Sequence, residues 1–286
     1  MLGPLTICIG AISEQGEKVV VAADRMFTAQ FPLNVEFETA EQKIEKLAPT
    51  CVGLSSGGSA YAQEVFAGTR DELEGNIAPI IADVAEIVKE QYIRTRLRVV
   101  NETVILPALG SDFMAMQEKG ASLPVYLQSQ PATYVQLLQL SSNHNIELDI
   151  LVAGIDATGA HIWLVTHPGT ALTFDKLGFG AIGSGAVHAL NKLYLSQQTS
   201  KTGFWDTLYA VYRAKVASEV APGVGKATDI MVVKNGEESL VCSEAVKREL
   251  QHVVEENENK RASIDLSSVQ RVFETDHPPV ANRNKR

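Results

Sequence analysis

Thr6, Asp24, Lys43 and the pair Gly57-Gly58 are the residues best suited to chemistry, and each stands at the end of an apolar run. A threonine hydroxyl is a weak nucleophile and needs an adjacent base. If Thr6 were the first residue of a mature chain, its own α-amine would be that base. A free α-amine titrates at about 7.7–8.0, well placed for proton transfer at neutral pH. Residues 1–5 block that amine in the chain as written, so this chemistry requires cleavage between Leu5 and Thr6. Without cleavage Thr6 is simply a β-branched strand residue. Asp24 closes the run Val19-Val-Val-Ala-Ala23, and a carboxylate there must be solvated or paired. Lys43 precedes Ile44 in a run that can lie alongside. A Lys–Asp pair beside Thr6 would favour the ionised hydroxyl and hold its geometry; a structural ion pair is the alternative. Gly57-Gly58 can aim backbone N–H groups at a developing oxyanion, or can merely make a tight strand-to-helix turn. In Gly183-Ser184-Gly185 the pattern repeats, and Ser184 either orients the α-amine or caps the next helix.

These residues need strands to hold them. Thr6–Ile12 and Lys18–Ala23 read as buried strands joined by the polar turn Ser13-Glu-Gln-Gly16, a hairpin. Met26–Ala40 reads as a loop with a short strand, and Gln42–Leu47 with Thr50–Ser55 as a second strand pair. Helical spacing follows at Ser59–Leu73, with Ser59 as N-cap, and from Asn76 to about Leu97. The stretch 98–128 is ambiguous, and Gln130–Leu140 suits either strand or helix. Strands return at Asp149–Ile155, His161–Thr166, Ala171–Phe174 and Gly178–Gly183. Helices follow at Gly185–Gln197 and Gly203–Ala221, then strands at Asp229–Lys234 and Ser239–Cys242, then a charged helix, Ser243–Asn257. Segregated blocks of strands and helix pairs predict an α+β protein in which two antiparallel sheets stack face to face, each covered by two helices. Burial of both sheet faces explains why the strands are continuously apolar. The expected organisation is residues 1–5 as a short propeptide, one domain over 6–257 with an elaboration at about 98–148, and a tail over 258–286.

Composition narrows the function classes. The 286 residues carry a net charge of -9 with acidic side chains dispersed, so a basic nucleic-acid footprint is absent. No run of 18 apolar residues is present, and the N-terminus lacks the pattern of a signal peptide, which predicts a cytoplasmic protein with no membrane partner. Cys8, Cys51 and Cys242 form neither a disulfide framework nor a metal set, and the histidines show no metal spacing. Gly223-Val-Gly225-Lys226 follows a helix and lacks the spacing of a phosphate-binding loop. No cofactor is called for.

In this setting the chain resembles the 20S proteasome family, the β-type subunits and their bacterial relatives above all, over roughly residues 6–75 and 149–236. Thr6 precedes Ile9-Gly10, and Val20-Val-Ala-Ala-Asp24, Lys43-Ile44 and Ser56-Gly-Gly58 follow in family order. Gly154-Ile-Asp-Ala-Thr-Gly159, His167-Pro-Gly169 and Ile182-Gly-Ser-Gly185 complete the series. The resemblance implies a four-layer αββα N-terminal-nucleophile hydrolase fold and assembly into stacked rings. It implies Thr6 as nucleophile, Asp24 and Lys43 as its assistants, Gly57 as oxyanion donor and Ser184 as organiser of the amine. Leu5 stands where the family has glycine. For the family's second aspartate the nearby candidates are Glu219 and Asp229. The expected activity is a threonine-type peptidase acting on unfolded polypeptide, with an ATPase as a compatible partner. A catalytically silent ring subunit and an amidohydrolase of small amides are the alternatives.

Overall fold

The computed structural model describes residues 5–29, 35–38, 42–109 and 131–262. The chain divides into two compact units, Met1–Cys242 and Ser243–Arg286. In the first, β1 (Cys8–Ser13) is buried throughout and returns as β2 (Lys18–Asp24). The reversal is a tight turn in which Glu14, Gln15 and Gly16 all have positive φ. A short ribbon follows, β3 (Met26–Ala29) against β4 (Val35–Glu38). Next come β5 (Ile44–Ala48), β6 (Cys51–Gly57) and the helices α1 (Ser59–Glu72) and α2 (Ile81–Val100). After α2 the chain continues through a wide π-type turn, Asn101–Ile105, into α3 (Leu106–Leu109). Helix α4 (Pro131–Asn143) leads to the strands β7 (Leu148–Asp156), β8 (Gly159–Thr166), β9 (Thr170–Thr173) and β10 (Phe179–Ile182). Helices α5 (Ala186–Leu195) and α6 (Phe204–Ser218) and strands β11 (Thr228–Lys234) and β12 (Glu237–Val241) complete the unit.

The strands form two antiparallel five-stranded sheets, ordered β10-β1-β2-β11-β12 and β5-β6-β7-β8-β9. Their facing sides share one core, in which Ile12, Val19 and Val21 of the first sheet meet Leu54, Leu151 and Ile162 of the second. On the outer side of the second sheet, Phe66 of α1 and Val84, Val88 and Tyr92 of α2 join Cys51, Ile150 and Val152. Helices α5 and α6 lie against β1, β2 and β10. Both faces of each sheet are therefore covered, and fully buried side chains such as Val19, Val20 and Val21 each contribute about 1.5–3 kcal/mol of transfer free energy. The protein is thus a mixed α+β chain of two antiparallel sheets with helices, compatible with a layered sandwich.

Several elements differ from their sequence reading, among them the expected loop with one short strand after Asp24, which supplies both β3 and β4. Helix α2 starts at Ile81, not Asn76, because Pro79 disfavours helical backbone before it and the Asp156 carboxylate accepts the Ile81 N–H at 2.8 Å, supplying a cap there. At α1 the N-cap is Gly58, with Ser59 as the first helical residue. The stretch from 131 is helical, opened by a proline at its first position. Positions 110–130 of the expected elaboration lie outside the described residues, as does most of the expected tail. The second unit contains α7 (Glu244–Ala262), whose start accepts the Val246 N–H on Ser243 Oγ at 3.4 Å. Among the described residues no helix is long and apolar enough to cross a membrane.

Candidate active site

The β1–β2 register pairs Cys8 with Ala23, which brings the residues just ahead of β1 beside the end of β2. There the Thr6 hydroxyl donates to Asp24 Oδ1, and the Lys43 ammonium reaches both Thr6 Oγ1 and, at 2.8 Å, Asp24 Oδ1. Lys43 belongs to the other sheet, immediately ahead of β5, and Ile44 anchors it in the shared core. The site therefore sits where the ends of the two sheets meet. Thr6, Asp24 and Lys43 are buried, at 2%, 0% and 8% exposure. A buried carboxylate is costly unless richly supplied with donors. Asp24 Oδ1 also accepts the Ile7 N–H at 3.1 Å, and Oδ2 accepts the N–H groups of Met26 at 3.1 Å and Gly225 at 2.9 Å.

The turn after β10 supports Thr6 from the opposite side. The Thr6 N–H donates to Ser184 Oγ at 3.2 Å, and the Gly185 N–H donates to the Thr6 carbonyl at 3.2 Å. Ser184 Oγ lies 2.8 Å from the Pro222 carbonyl and 3.3 Å from that of Thr6, so its single proton is best spent on Pro222. Gly183 has φ of 99°, and a Cβ there would lie 2.3 Å from the Thr6 carbonyl oxygen. Only glycine lets the two backbones approach so closely.

A cleft of about 360 Å³ opens over this cluster. Its walls include Thr6, Lys43, Gly57, Tyr61, His144 and Glu147. Gly57 ends β6 with φ of 102°, while the Gly58 N–H is spent on the Glu147 carbonyl at 3.1 Å. Of the glycine pair, Gly57 is the member to consider as a donor to the cleft.

The two candidates for a second acid are both engaged elsewhere. Glu219 accepts from Lys215 Nζ at 2.7 Å, and Asp229 takes Arg25 through two bonds of 2.9 and 2.5 Å. The described hydrogen bonds of Thr6 go to Asp24, Lys43, Ser184 and Gly185. What stands near the site instead is the segment 222–227, which contains Gly223-Val-Gly225-Lys226, the stretch that lacks the spacing of a phosphate-binding loop. Its Gly225 N–H reaches Asp24, its Pro222 carbonyl faces Ser184, and Glu38 accepts the N–H groups of Lys226 at 2.7 Å and Ala227 at 3.0 Å. Lys215, fully buried, donates to the Lys226 carbonyl at 2.6 Å. Beneath the cluster, Cys8 donates to the Ser55 carbonyl at 3.3 Å, and burial pushes its thiol up to about 12 despite the nearby Lys43 ammonium. Among the described residues no group of three or more His, Cys, Asp or Glu is placed to hold a metal.

Neither protein-family models nor curated protein sequences match the chain.

Proposed function

We propose that this protein is a proteasome-like threonine peptidase with a four-layer αββα N-terminal-nucleophile hydrolase fold. The observation that carries the reading is the Thr6 hydroxyl held between the Lys43 ammonium and the Asp24 carboxylate at the edge of the cleft. Once the Leu5–Thr6 bond is cut, the Thr6 nitrogen becomes an α-amine within reach of Ser184 Oγ. Thr6 Oγ1 then attacks a peptide carbonyl and its proton passes to the α-amine. The Gly57 N–H stabilises the oxyanion while Lys43 holds the nucleophile and favours its developing negative charge. The α-amine returns the proton to the leaving amine, and water cleaves the resulting ester and restores the hydroxyl. Unfolded polypeptide is the substrate class, and cytoplasmic rings fed by an ATPase are the corresponding setting.

The test is intact-mass measurement of the purified full chain, followed by a threonine-directed electrophile. The expected result is a chain beginning at Thr6 that takes one adduct, and neither event in Thr6→Ala. A mass that keeps Leu5 in every molecule, with no adduct, overturns the reading. The second reading, a silent ring subunit, is favoured by Leu5, which lines the cleft and fits so tightly that a Cβ on Gly223 would lie 2.3 Å from its own Cβ.

A further inference from the structure

We propose that Glu147 is a specificity-determining residue that selects substrates whose side chain in the cleft is basic; this rests on the peptidase reading above. Among the described residues, the cleft lining contains two charged side chains, Lys43 and Glu147. The Lys43 ammonium is directed at Thr6 and Asp24, inside the catalytic cluster. No hydrogen bond or ion pair to another described residue engages the Glu147 carboxylate, so it is the charge the cleft offers to a visitor.

The position of Glu147 is built and not incidental. Its φ is 52°, a left-handed conformation that a glutamate adopts only when its surroundings enforce it. Three contacts do so. Its N–H donates to Asn145 Oδ1 at 2.8 Å, its carbonyl accepts the Gly58 N–H at 3.1 Å, and its neighbours Ile146 and Leu148 are buried at 4% and 1% exposure. Upstream, the buried Arg96 guanidinium grips the end of α4, donating to the carbonyls of Ser141 at 2.7 Å, Ser142 at 2.9 Å and His144 at 3.1 Å. The wall that carries Glu147 is thus clamped to α2 through Arg96 and to the oxyanion turn through Gly58. Tyr61, Val99 and Ile146 give the cleft apolar surface, beside the polar Ser55, Thr103 and Asn145. A cleft of mixed lining, with apolar surface beside a carboxylate, fits a lysine or arginine, whose methylene stem packs while the cation finds the charge.

The experiment uses matched peptides that differ only at the residue before the scissile bond, lysine, norleucine or glutamate, with the wild-type full chain, Glu147→Gln and Glu147→Lys. In the wild type, kcat/KM for lysine exceeds that for norleucine by about tenfold, the scale of one pocket contact. Glu147→Gln removes that preference, and Glu147→Lys favours the glutamate peptide. Binding of the same peptides to wild type and Glu147→Gln is measured in parallel by fluorescence anisotropy. Lysine-selective binding that vanishes in Glu147→Gln, without hydrolysis of any peptide, overturns the peptidase reading and leaves this assignment standing. A lysine preference equal in wild type and Glu147→Gln, or none in either assay, overturns the assignment.

Discussion

Lys43 and Lys215 are both buried, at 8% and 0% exposure, and the partners of each ammonium include a carboxylate and a neutral oxygen. For Lys43 the neutral oxygen is the hydroxyl of Thr6; for Lys215 it is the backbone carbonyl of Lys226. The electrostatic arrangement is nearly the same, and the chemistry is not. A hydroxyl can lose a proton and become a nucleophile, whereas a carbonyl so placed can only be held. The second region nevertheless serves the first. Lys215 and Glu38 fix the segment 222–227 from two sides, and that segment supplies the Gly225 N–H to Asp24 and the Pro222 carbonyl to Ser184. Burial of a lysine therefore does not by itself mark a catalytic group; the third atom in the cluster does.

The comparison is most directly broken by arginine at each position. Arginine keeps the positive charge but neither the point geometry nor the ability to give up a proton. Lys43→Arg should lower kcat by about 10²–10³-fold, the range for losing a preorganised donor beside the developing charge. Lys215→Arg should leave kcat within about tenfold, because its contact with the reacting atoms is indirect. Peptide hydrolysis by both variants, with folding checked by circular dichroism, decides between them. Equal losses at the two sites would mean that Lys43 is as structural as Lys215.

A smaller effect is expected on stability. Lys215→Met fills the same space with an apolar chain but takes the ammonium from the Lys226 carbonyl, which keeps only the Thr228 hydroxyl at 3.2 Å as a donor among the described residues. Loss of one hydrogen bond from a charged donor costs about 1.5–3 kcal/mol. Glu219 is partly exposed, with a side chain 25% accessible, and recovers its hydration, so the full penalty of a stranded buried charge does not apply. Denaturant unfolding should show the midpoint lowered at unchanged slope. A variant more stable than the wild type would show that desolvating Lys215 outweighs its tether.

These two lysines also mark what the amino-acid sequence makes legible. Strand ends are readable because an apolar run in a buried sheet must stop at a polar residue, which is how Thr6, Asp24, Lys43, Gly57 and Ser184 stand out together. The two sheets and their helix pairs follow from the same periodicity. Lys215 is hidden for the opposite reason. On α6 it has Glu219 four residues on, the spacing of an ordinary solvated pair, and only the packing of α6 on β1 and β2 buries it. Glu38 is hidden because an exposed strand end gives no sign of the two backbone N–H groups it will accept. Glu147 and Arg96 are hidden because a strained loop and its clamp have no local periodicity to betray them. The early start assigned to α2 has a similar origin: Ile77 and Ile80 fit the helical spacing but are exposed, and the cap comes from Asp156, distant in sequence.

The subtlest difference lies in titration. Burial, the largest influence on Lys215, holds its ammonium below the usual lysine value of 10.5, although Glu219, Asp24 and Glu38 pull the other way. In the window between the lowered native value and 10.5, the unfolded chain binds more protons than the folded one. Stability therefore rises with pH across that window, is fully present above 10.5, and is lost as pH falls through the native value. Comparing wild type with Lys215→Met cancels the titrations the two proteins share. The stability of the wild type relative to Lys215→Met should thus climb as the medium is taken from about pH 7 toward about pH 10, read as a widening gap in urea midpoints. A gap that stays flat or narrows would mean that Glu219 and the Lys226 carbonyl compensate fully for burial, and that Lys215 keeps an ordinary lysine's proton affinity.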